Sequence, residues 1–270
     1  MQRATGAIDA GFVRRGVRTV LSTLRQEGCL KARFPARPPA AHAAEIVTLN
    51  ISGGVAAGDR LAVRIRAAEG AEVIVASQAA ERFYRAMEAS PPASVRATIE
   101  VAAGASLDWL PQETILFDGA SVQRRLDVEI AADARFVGVE ALVFGRAAMG
   151  EDVRRLHFRD LIRVGRNGEP VLHDAIRMEG DAHAALRRKA IGGGARAIGT
   201  IVHAAPDAET LLDPVRAALA GHQAETGASA WDGLLVVRIV AQDGACLRAA
   251  IVAGLAVLRD GRPLPRTWMC

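Results

Sequence analysis

The chain has 270 residues, of which 50% are hydrophobic but only 4% aromatic, so its core must be built mainly from Val, Leu, Ile and Ala. Thirty-four Lys and Arg residues against 30 Asp and Glu leave a net charge of +4, an excess too small to indicate a nucleic-acid-binding protein. The cysteines Cys29, Cys246 and Cys270 are odd in number and far apart, which argues against a disulfide framework and favours a reducing compartment.

Targeting and membrane segments are not indicated by the sequence. The N-terminal residues lack the apolar stretch of a signal peptide, and no run reaches the ~18 apolar residues that a membrane-spanning helix needs. The longest apolar candidate, residues 245–258, contains Arg248 and Gly254. We therefore expect a cytoplasmic protein, folded as one domain over residues 1–270.

The first two thirds of the chain have the pattern of many consecutive β-strands. Between about residues 16 and 201, short apolar or alternating segments are separated by Gly, Pro, Asp and Asn. Strands are predicted at residues 61–65, 95–101 and 126–130. A loop is predicted at residues 33–44, which contain three prolines, and a short helical turn or a loop at residues 78–87.

Two features of these strands bear on function. Residues 136–143 are apolar at consecutive positions, which indicates a strand covered on both faces, and Glu140 interrupts it with a charge. Arginines such as Arg124 and Arg125 are interpreted as part of a solvated sheet face.

Two helices are predicted near the C-terminal end of the sequence. Asp207 is a candidate N-cap for apolar residues at helical spacing, and Gly221 ends that pattern. A second helix is predicted at about residues 245–259, and a buried strand at residues 234–239 lies between the two. Because strands and helices do not alternate regularly, a doubly wound or barrel enzyme fold is disfavoured and a mainly β fold is expected.

Motifs for nucleotide binding or nucleophilic catalysis are weak. The glycines of residues 52–59 are followed by a strand rather than a helix, and residues 192–194 lack a following Lys-Ser/Thr, so both are interpreted as tight turns. Cys29 could serve as the nucleophile of a small-molecule hydrolase only by meeting a distant histidine, a remote alternative. The six histidines show no spacing typical of a metal site.

Three acidic residues with apolar sequence neighbours are more informative than these motifs. Asp59 follows a glycine turn, Glu140 lies in the apolar strand, and Asp174 lies within residues 171–176. A buried carboxylate is costly unless it is paired, hydrated or bound to a cation, so either arginine partners or a wet, acid-lined channel would explain them. Oxygen ligands hold a divalent transition-metal ion less tightly than imidazole or thiolate does, which would suit a conduit.

Residues 107–120, LDWLPQETILFDGA, closely resemble the signature segment of the urease accessory protein UreD (UreH) family. Four further matches occur in the family's order, at residues 53–61, 81–85, 145–151 and 265–268. The sequence departs from the family at residues 49–52, LNIS, where the family usually has His-Pro-Pro, and at Val139, which replaces a usual Trp.

This resemblance implies a two-layered β-helical stack of many short strands with two α-helices in the C-terminal half. It further implies a scaffold without enzymatic activity that binds a UreF-type partner, a UreG-type GTPase through that partner, and apo-urease. Nickel would be handled transiently, with no tightly bound cofactor, no nucleic acid and no membrane involved. The family is described as having a water-filled internal passage, whose acids fall at Asp59, Glu140 and Asp174.

Candidate partner-binding residues are Tyr84, Arg85, Arg266 and Trp268. Tyr and Trp commonly anchor interfaces because each buries a large area with few rotamers. Trp268 is the better placed for contact, because it lies two residues from the end of the sequence, where a chain end is usually exposed unless it is docked. The main alternative function is that of a β-rich assembly protein of another pathway, with no metal role.

Overall fold

The computed structural model describes residues 3–36, 41–87 and 89–269. Within them the strands are β1 (Thr5–Arg15), β2 (Arg18–Gly28), β3 (Leu30–Arg33), β4 (Ala44–Asn50), β5 (Arg60–Ala67), β6 (Glu72–Ser77), β7 (Glu81–Phe83), β8 (Ala93–Val101), β9 (Ser106–Leu110), β10 (Thr114–Leu116), β11 (Ser121–Ile130), β12 (Arg135–Phe144), β13 (Leu156–Arg166), β14 (Glu169–Gly180), β15 (Ala197–Ala204), β16 (Ala224–Trp231) and β17 (Leu234–Ala241). The α-helices are α1 (Ala182–Arg187), α2 (Leu212–Leu219) and α3 (Gly244–Leu258), and short 3₁₀ turns occupy Ala147–Met149, Ala208–Leu211 and Arg266–Trp268. The expected mainly β fold with two helices near the C-terminal end is confirmed, and α1 is an additional short helix.

The described strands form two stacked sheets. The first has the order β14-β13-β11-β8-β5-β1-β2, and the second the order β16-β17-β15-β12-β9-β6-β4-β3 with β10 and β7 attached through β12. From β4 to β13 the chain passes repeatedly from one sheet to the other, so neighbouring strands such as β5, β8 and β11 are parallel. This stepping is the β-helical arrangement that the resemblance implies.

The main core lies between the two sheets and follows from the alternation of side chains along each strand. On β13, Leu156, Phe158 and Ile162 point into it while Arg159 is exposed. Each fully buried side chain of this kind stabilises the fold by roughly 1.5–3 kcal/mol. Asp160 occupies an inward position of the same strand, so a charge is buried among these apolar residues.

A second core lies on the other face of the second sheet, where α3 covers β15 and β17 and α2 packs against α3 and β16. The prediction of a strand covered on both faces is therefore confirmed for β12: Phe136 and Leu142 belong to the core between the sheets, and Val137 and Val139 to the core under the helices. This parity places Glu140 on the side that faces the first sheet.

Local differences from the sequence predictions have simple causes. Within residues 78–87 the structure has the strand β7, because residues 81–83 pair with β10. Asp207 makes no capping hydrogen bond; a 3₁₀ turn follows it and α2 begins only at Leu212. In the predicted loop, residues 37–40 lie outside the described residues, and β4 already begins at Ala44.

Candidate functional site

A polar cavity of about 390 Å³ lies between the two sheets. Its wall combines apolar residues of both sheets with a set of polar side chains that includes Asn50, Glu81, Thr114, Arg124, Glu140 and Asp160. Because the surrounding core is mainly apolar, the polar side chains of this wall need hydrogen-bond or ion-pair partners of their own.

Three charged side chains form an ion triad in the cavity wall. Arg124 on β11 and Asp160 on β13 are register partners, so their side chains lie side by side on the inner face of the first sheet. The Arg124 guanidinium contacts both Asp160 carboxylate oxygens through Nε (3.3 Å) and Nη2 (2.5 Å). From the opposite sheet, the Glu140 carboxylate approaches Arg124 Nη2 at 2.9 Å.

Two neutral side chains, one donor and one acceptor, make further hydrogen bonds to the triad. Trp109 Nε1 donates a hydrogen bond to Glu140 Oε1 at 3.2 Å, and Arg124 Nη1 donates one to Thr114 Oγ1 at 2.6 Å. The guanidinium also lies 5.6 Å from the centre of the Phe158 ring, a cation–π distance. Arg124 is thus held by four neighbours, and its interpretation as a solvated residue is wrong. Arg125 has the opposite parity on β11 and pairs with Asp127.

The electrostatics of the triad are unbalanced. Burial opposes the charge of Arg124, but Asp160 and Glu140 outweigh that effect and raise the pKa of its guanidinium. Burial raises the pKa of Glu140 above its ordinary value; Arg124 opposes this shift and the neighbouring Asp160 adds to it. Two carboxylates against one guanidinium leave the triad with one formal negative charge when all three are ionised.

Glu81 is a further acid of the cavity wall. Asn50 Nδ2 donates to both of its carboxylate oxygens at 3.3 Å, and burial raises the pKa of Glu81 above its ordinary value. Sequence reasoning identified Glu81 only as part of the family match and missed Asp160 altogether. The sequence signal for Asp160 is the alternation of side chains along β13, which places Asp160 on the same inward face as Phe158 and Ile162.

Asp59 has a local structural role at the start of β5. Its carboxylate accepts hydrogen bonds from the backbone N–H groups of Ala4 and Ala56, each at 2.8 Å, and the side chain is buried. These bonds close the glycine turn before β5 and attach the N-terminal residues to it. Asp59 does not belong to the lining of the cavity that contains Glu140.

Asp174 on β14 forms an ion pair with an arginine of the second sheet. Its carboxylate is held by Arg238 Nη1 at 2.7 Å and Nη2 at 2.6 Å, and Arg238 Nη1 also donates to Thr200 Oγ1 at 2.7 Å. Thr200 is the register partner of Glu140 on β12. The structure therefore relates Asp174 to Glu140 only through the pairing of β15 with β12, and neither Asp174 nor Asp59 lines the cavity that contains Glu140.

The segment of residues 107–120 joins the second sheet to the C-terminal residues. Asp108 forms a buried ion pair with Arg259 (2.8 Å), and Gln112 Nε2 donates to the Thr267 carbonyl at 2.8 Å. Trp268 Nε1 donates to the Leu110 carbonyl at 3.0 Å. Trp268 is only 5% exposed, so the expectation of an exposed ring is wrong: the end of the chain is packed against the sheet.

The other partner-binding candidates are exposed. Tyr84 is 38% exposed; its hydroxyl donates to the Gly53 carbonyl and its ring contacts Phe117 edge-on. Arg85 pairs with Asp118 at 2.9 Å, and Arg266 is exposed at the C-terminal turn. Large apolar side chains exposed on the nearby loops are Ile51, Met87 and Met149. We call the group Ile51, Tyr84, Arg85, Met87 and Met149 the loop surface.

Other candidate chemistries gain no support. Burial raises the pKa of the Cys29 thiol above its ordinary value, the opposite of what a thiolate nucleophile needs, and the Cys246 thiol shifts in the same direction. Cys270 lies outside the described residues. Over residues 3–36, 41–87 and 89–269, no group of three or more His, Cys, Asp and Glu side chains is arranged to hold a metal ion. In the same part of the chain, no helix combines the length and apolarity needed to cross a membrane.

Comparisons with known proteins agree on one family. The family model described as "UreD urease accessory protein" matches residues 4–269. A urease accessory protein UreD of Methylobacterium sp. strain 4-46 is 48% identical over 274 residues, covering 99% of this chain and 95% of that relative. Proteins of the same name are 42% identical in Azorhizobium caulinodans, over 99% of this chain and 97% of the relative, and 45% identical in Dinoroseobacter shibae, over 99% and 93%.

Proposed function

Since the chain belongs to the UreD urease accessory protein family, we propose that it is a non-catalytic cytoplasmic scaffold that binds a UreF-type partner and apo-urease and assists nickel delivery to urease. A UreG-type GTPase would join through the UreF-type partner. The observation that supports the nickel role is the cavity between the sheets, whose wall contains three carboxylates, those of Glu81, Glu140 and Asp160, beside four arginines.

The chemistry of the cavity suits an ion in transit. Carboxylate and hydroxyl oxygens bind divalent cations but hold nickel less firmly than imidazole or thiolate ligands. Glu81 and Glu140 supply such oxygens in the cavity wall, and Asp174 lies outside it, paired with Arg238. A cation attracted by these groups can leave again, whereas a site of several histidines or cysteines would retain it.

The loop surface is the proposed partner contact. It combines exposed apolar side chains with arginine, a composition enriched at protein interfaces. It adjoins the cavity, because Gly53, which accepts the Tyr84 hydrogen bond, also lines the cavity wall. Arg266 remains a candidate contact at the C-terminal turn, and Trp268 would contribute by fixing that turn rather than by touching a partner.

The proposal is tested by co-purification with the cognate UreF-type protein, followed by activation of apo-urease with nickel in the presence and absence of this chain. Glu140→Gln keeps the size of the side chain and removes its charge, so we expect a slower activation with unchanged binding of the UreF-type protein. Glu100→Gln is the matched control, because Glu100 is exposed on β8 and does not line the cavity. Normal activation without the chain would refute the proposal.

A docking platform without an ion route is the second candidate. It is favoured by the contacts of the expected route acids, since backbone amides hold Asp59 and Arg238 holds Asp174. In that case Glu140→Gln would leave activation unchanged, while substitutions at Tyr84 and Arg85 would still abolish partner binding. Replacement of Asp59 by Ala is expected to weaken the fold in either case, because two amides lose their acceptor.

A further inference from the structure

The positively charged guanidinium of Arg124 lies between the two sheets, as a bound cation would. It extends from β11 and meets one carboxylate of its own sheet, Asp160, and one of the opposite sheet, Glu140. Each of its three donor nitrogens has a partner at 2.5–3.3 Å, with Thr114 as the third acceptor. The guanidinium therefore occupies the position between two carboxylates that a free cation would otherwise take.

A purely structural role would call for a balanced charge. Removal of an ion from water costs several kcal/mol, and a buried group is retained most cheaply when its charge is fully compensated. Here one guanidinium faces two carboxylates, and the remaining negative charge borders a cavity large enough for water. The whole cavity wall contains three acids and four arginines, so the negative excess is confined to the triad, where the guanidinium prevents both carboxylates from closing on one ion.

We propose that Arg124 is the internal counter-cation of the cavity, a positioning residue that keeps Glu140 and Asp160 from capturing a divalent ion and so allows nickel to pass without being trapped. This inference rests on the proposed function, because it assigns a role to Arg124 in that same ion transfer. The affinity of an oxygen-donor site rises with the number of charged ligands it offers. Removal of the guanidinium would turn a weakly attracting wall into a pair of free carboxylates.

The direct test measures nickel binding to the purified chain, in complex with its UreF-type partner, by titration calorimetry. Arg124→Gln is expected to gain one equivalent of bound Ni²⁺ with a Kd at least about tenfold lower than any site of the unchanged protein. The gain should disappear in Arg124→Gln combined with Glu140→Gln. Arg159→Gln is the matched control: Arg159 is exposed on β13 beside Asp160, pairs with Glu179 and does not line the cavity, so its loss should leave nickel binding unchanged.

A folded Arg124→Gln protein that binds nickel no more tightly than the unchanged protein would overturn the proposal. If this variant does not fold, Glu140→Gln and Asp160→Asn provide the test, because each leaves a triad of zero net charge around an intact Arg124. Both should slow urease activation to a similar extent, and an unchanged rate in both would equally overturn the proposal. Calorimetry distinguishes the role of Arg124 from the nickel-delivery function. If Arg124→Gln gains nickel binding but the chain has no effect on urease activation, only the nickel-delivery function is refuted.

Discussion

His203 on β15 is a fully buried histidine. Its Nδ1 lies 3.2 Å from the Phe136 carbonyl, and its Nε2 has no hydrogen-bond partner among the residues that the structure describes. Burial, together with the charge of Arg135, lowers the pKa of His203 from 6.5 to about 4. The folded protein therefore holds this imidazole in its neutral form, with the proton on Nδ1 donated to the carbonyl.

The buried histidine predicts a loss of stability in acid. Because the folded pKa lies below the unfolded one, the unfolded chain takes up the proton first, and stability present above pH 6.5 is lost as the pH falls towards 4. We expect His203 to account for a decrease of about 3 kcal/mol in the free energy of unfolding over this range. Urea unfolding at several pH values checks this: His203→Gln should show a shallower pH dependence, and the exposed-site variant His173→Gln should not. Equal slopes for all three proteins would contradict the assignment.

Arg259 is the most deeply buried charge of the C-terminal residues, with 1% of its surface exposed. It donates to Asp108 Oδ2 at 2.8 Å and to the carbonyls of Arg262 and Pro263 at 2.7 and 2.8 Å. One side chain thus pairs a buried carboxylate and satisfies the backbone of the turn that follows α3.

Loss of this guanidinium is expected to be severe. Arg259→Ala leaves Asp108 buried without a counter-ion, which predicts a decrease of about 3–5 kcal/mol in the free energy of unfolding. Arg262→Ala is the matched control, because Arg262 is exposed and lies 3.8 Å from the same carboxylate, so its loss should cost less than about 1 kcal/mol. Chemical denaturation of both variants distinguishes them, and similar midpoints would show that Asp108 does not depend on Arg259.

The two predicted helices begin in different ways. Asp243 accepts a hydrogen bond from the Cys246 N–H at 2.8 Å and caps α3, whereas Asp207 makes no such bond and instead pairs with Arg135 on the surface. Asp243→Ala should therefore destabilise the protein by about 1 kcal/mol, and Asp207→Ala by less. Thermal unfolding of the two variants tests this order, and a larger loss for Asp207→Ala would contradict it.

The strands show which part of the site could be read from the sequence. On β11, Val122, Leu126, Val128 and Ile130 are buried, so the period of two already assigns Arg124 to the inner face and its neighbour to the outer one. The interpretation of both arginines as solvated did not take this alternation of side chains along β11 into account. The same rule would have identified Asp160 on β13 as an inward charge.

The fold class could be predicted from the many short strands separated by turns. The C-terminal helices could be predicted from the spacing of their apolar residues. The partners of the buried charges could not, because they depend on how the two sheets are superposed. Glu140 meets Arg124 across the space between the sheets, and Asp174 meets Arg238 in the same way. Period and turn signals fix the face of a strand but give no information on which residue lies opposite it in another sheet.

The contacts of residues 107–120 with the C-terminal residues also set an order of events during synthesis. Arg259 follows Asp108 by 151 residues, and Trp268 follows Leu110 by 158, so each early residue emerges from the ribosome long before its partner. Strands that step between the sheets can pair as they are translated, but the Asp108 carboxylate stays without its guanidinium until Arg259 has been added. A nascent chain that stops short of this point is expected to be a better substrate for cellular proteases than the full-length one.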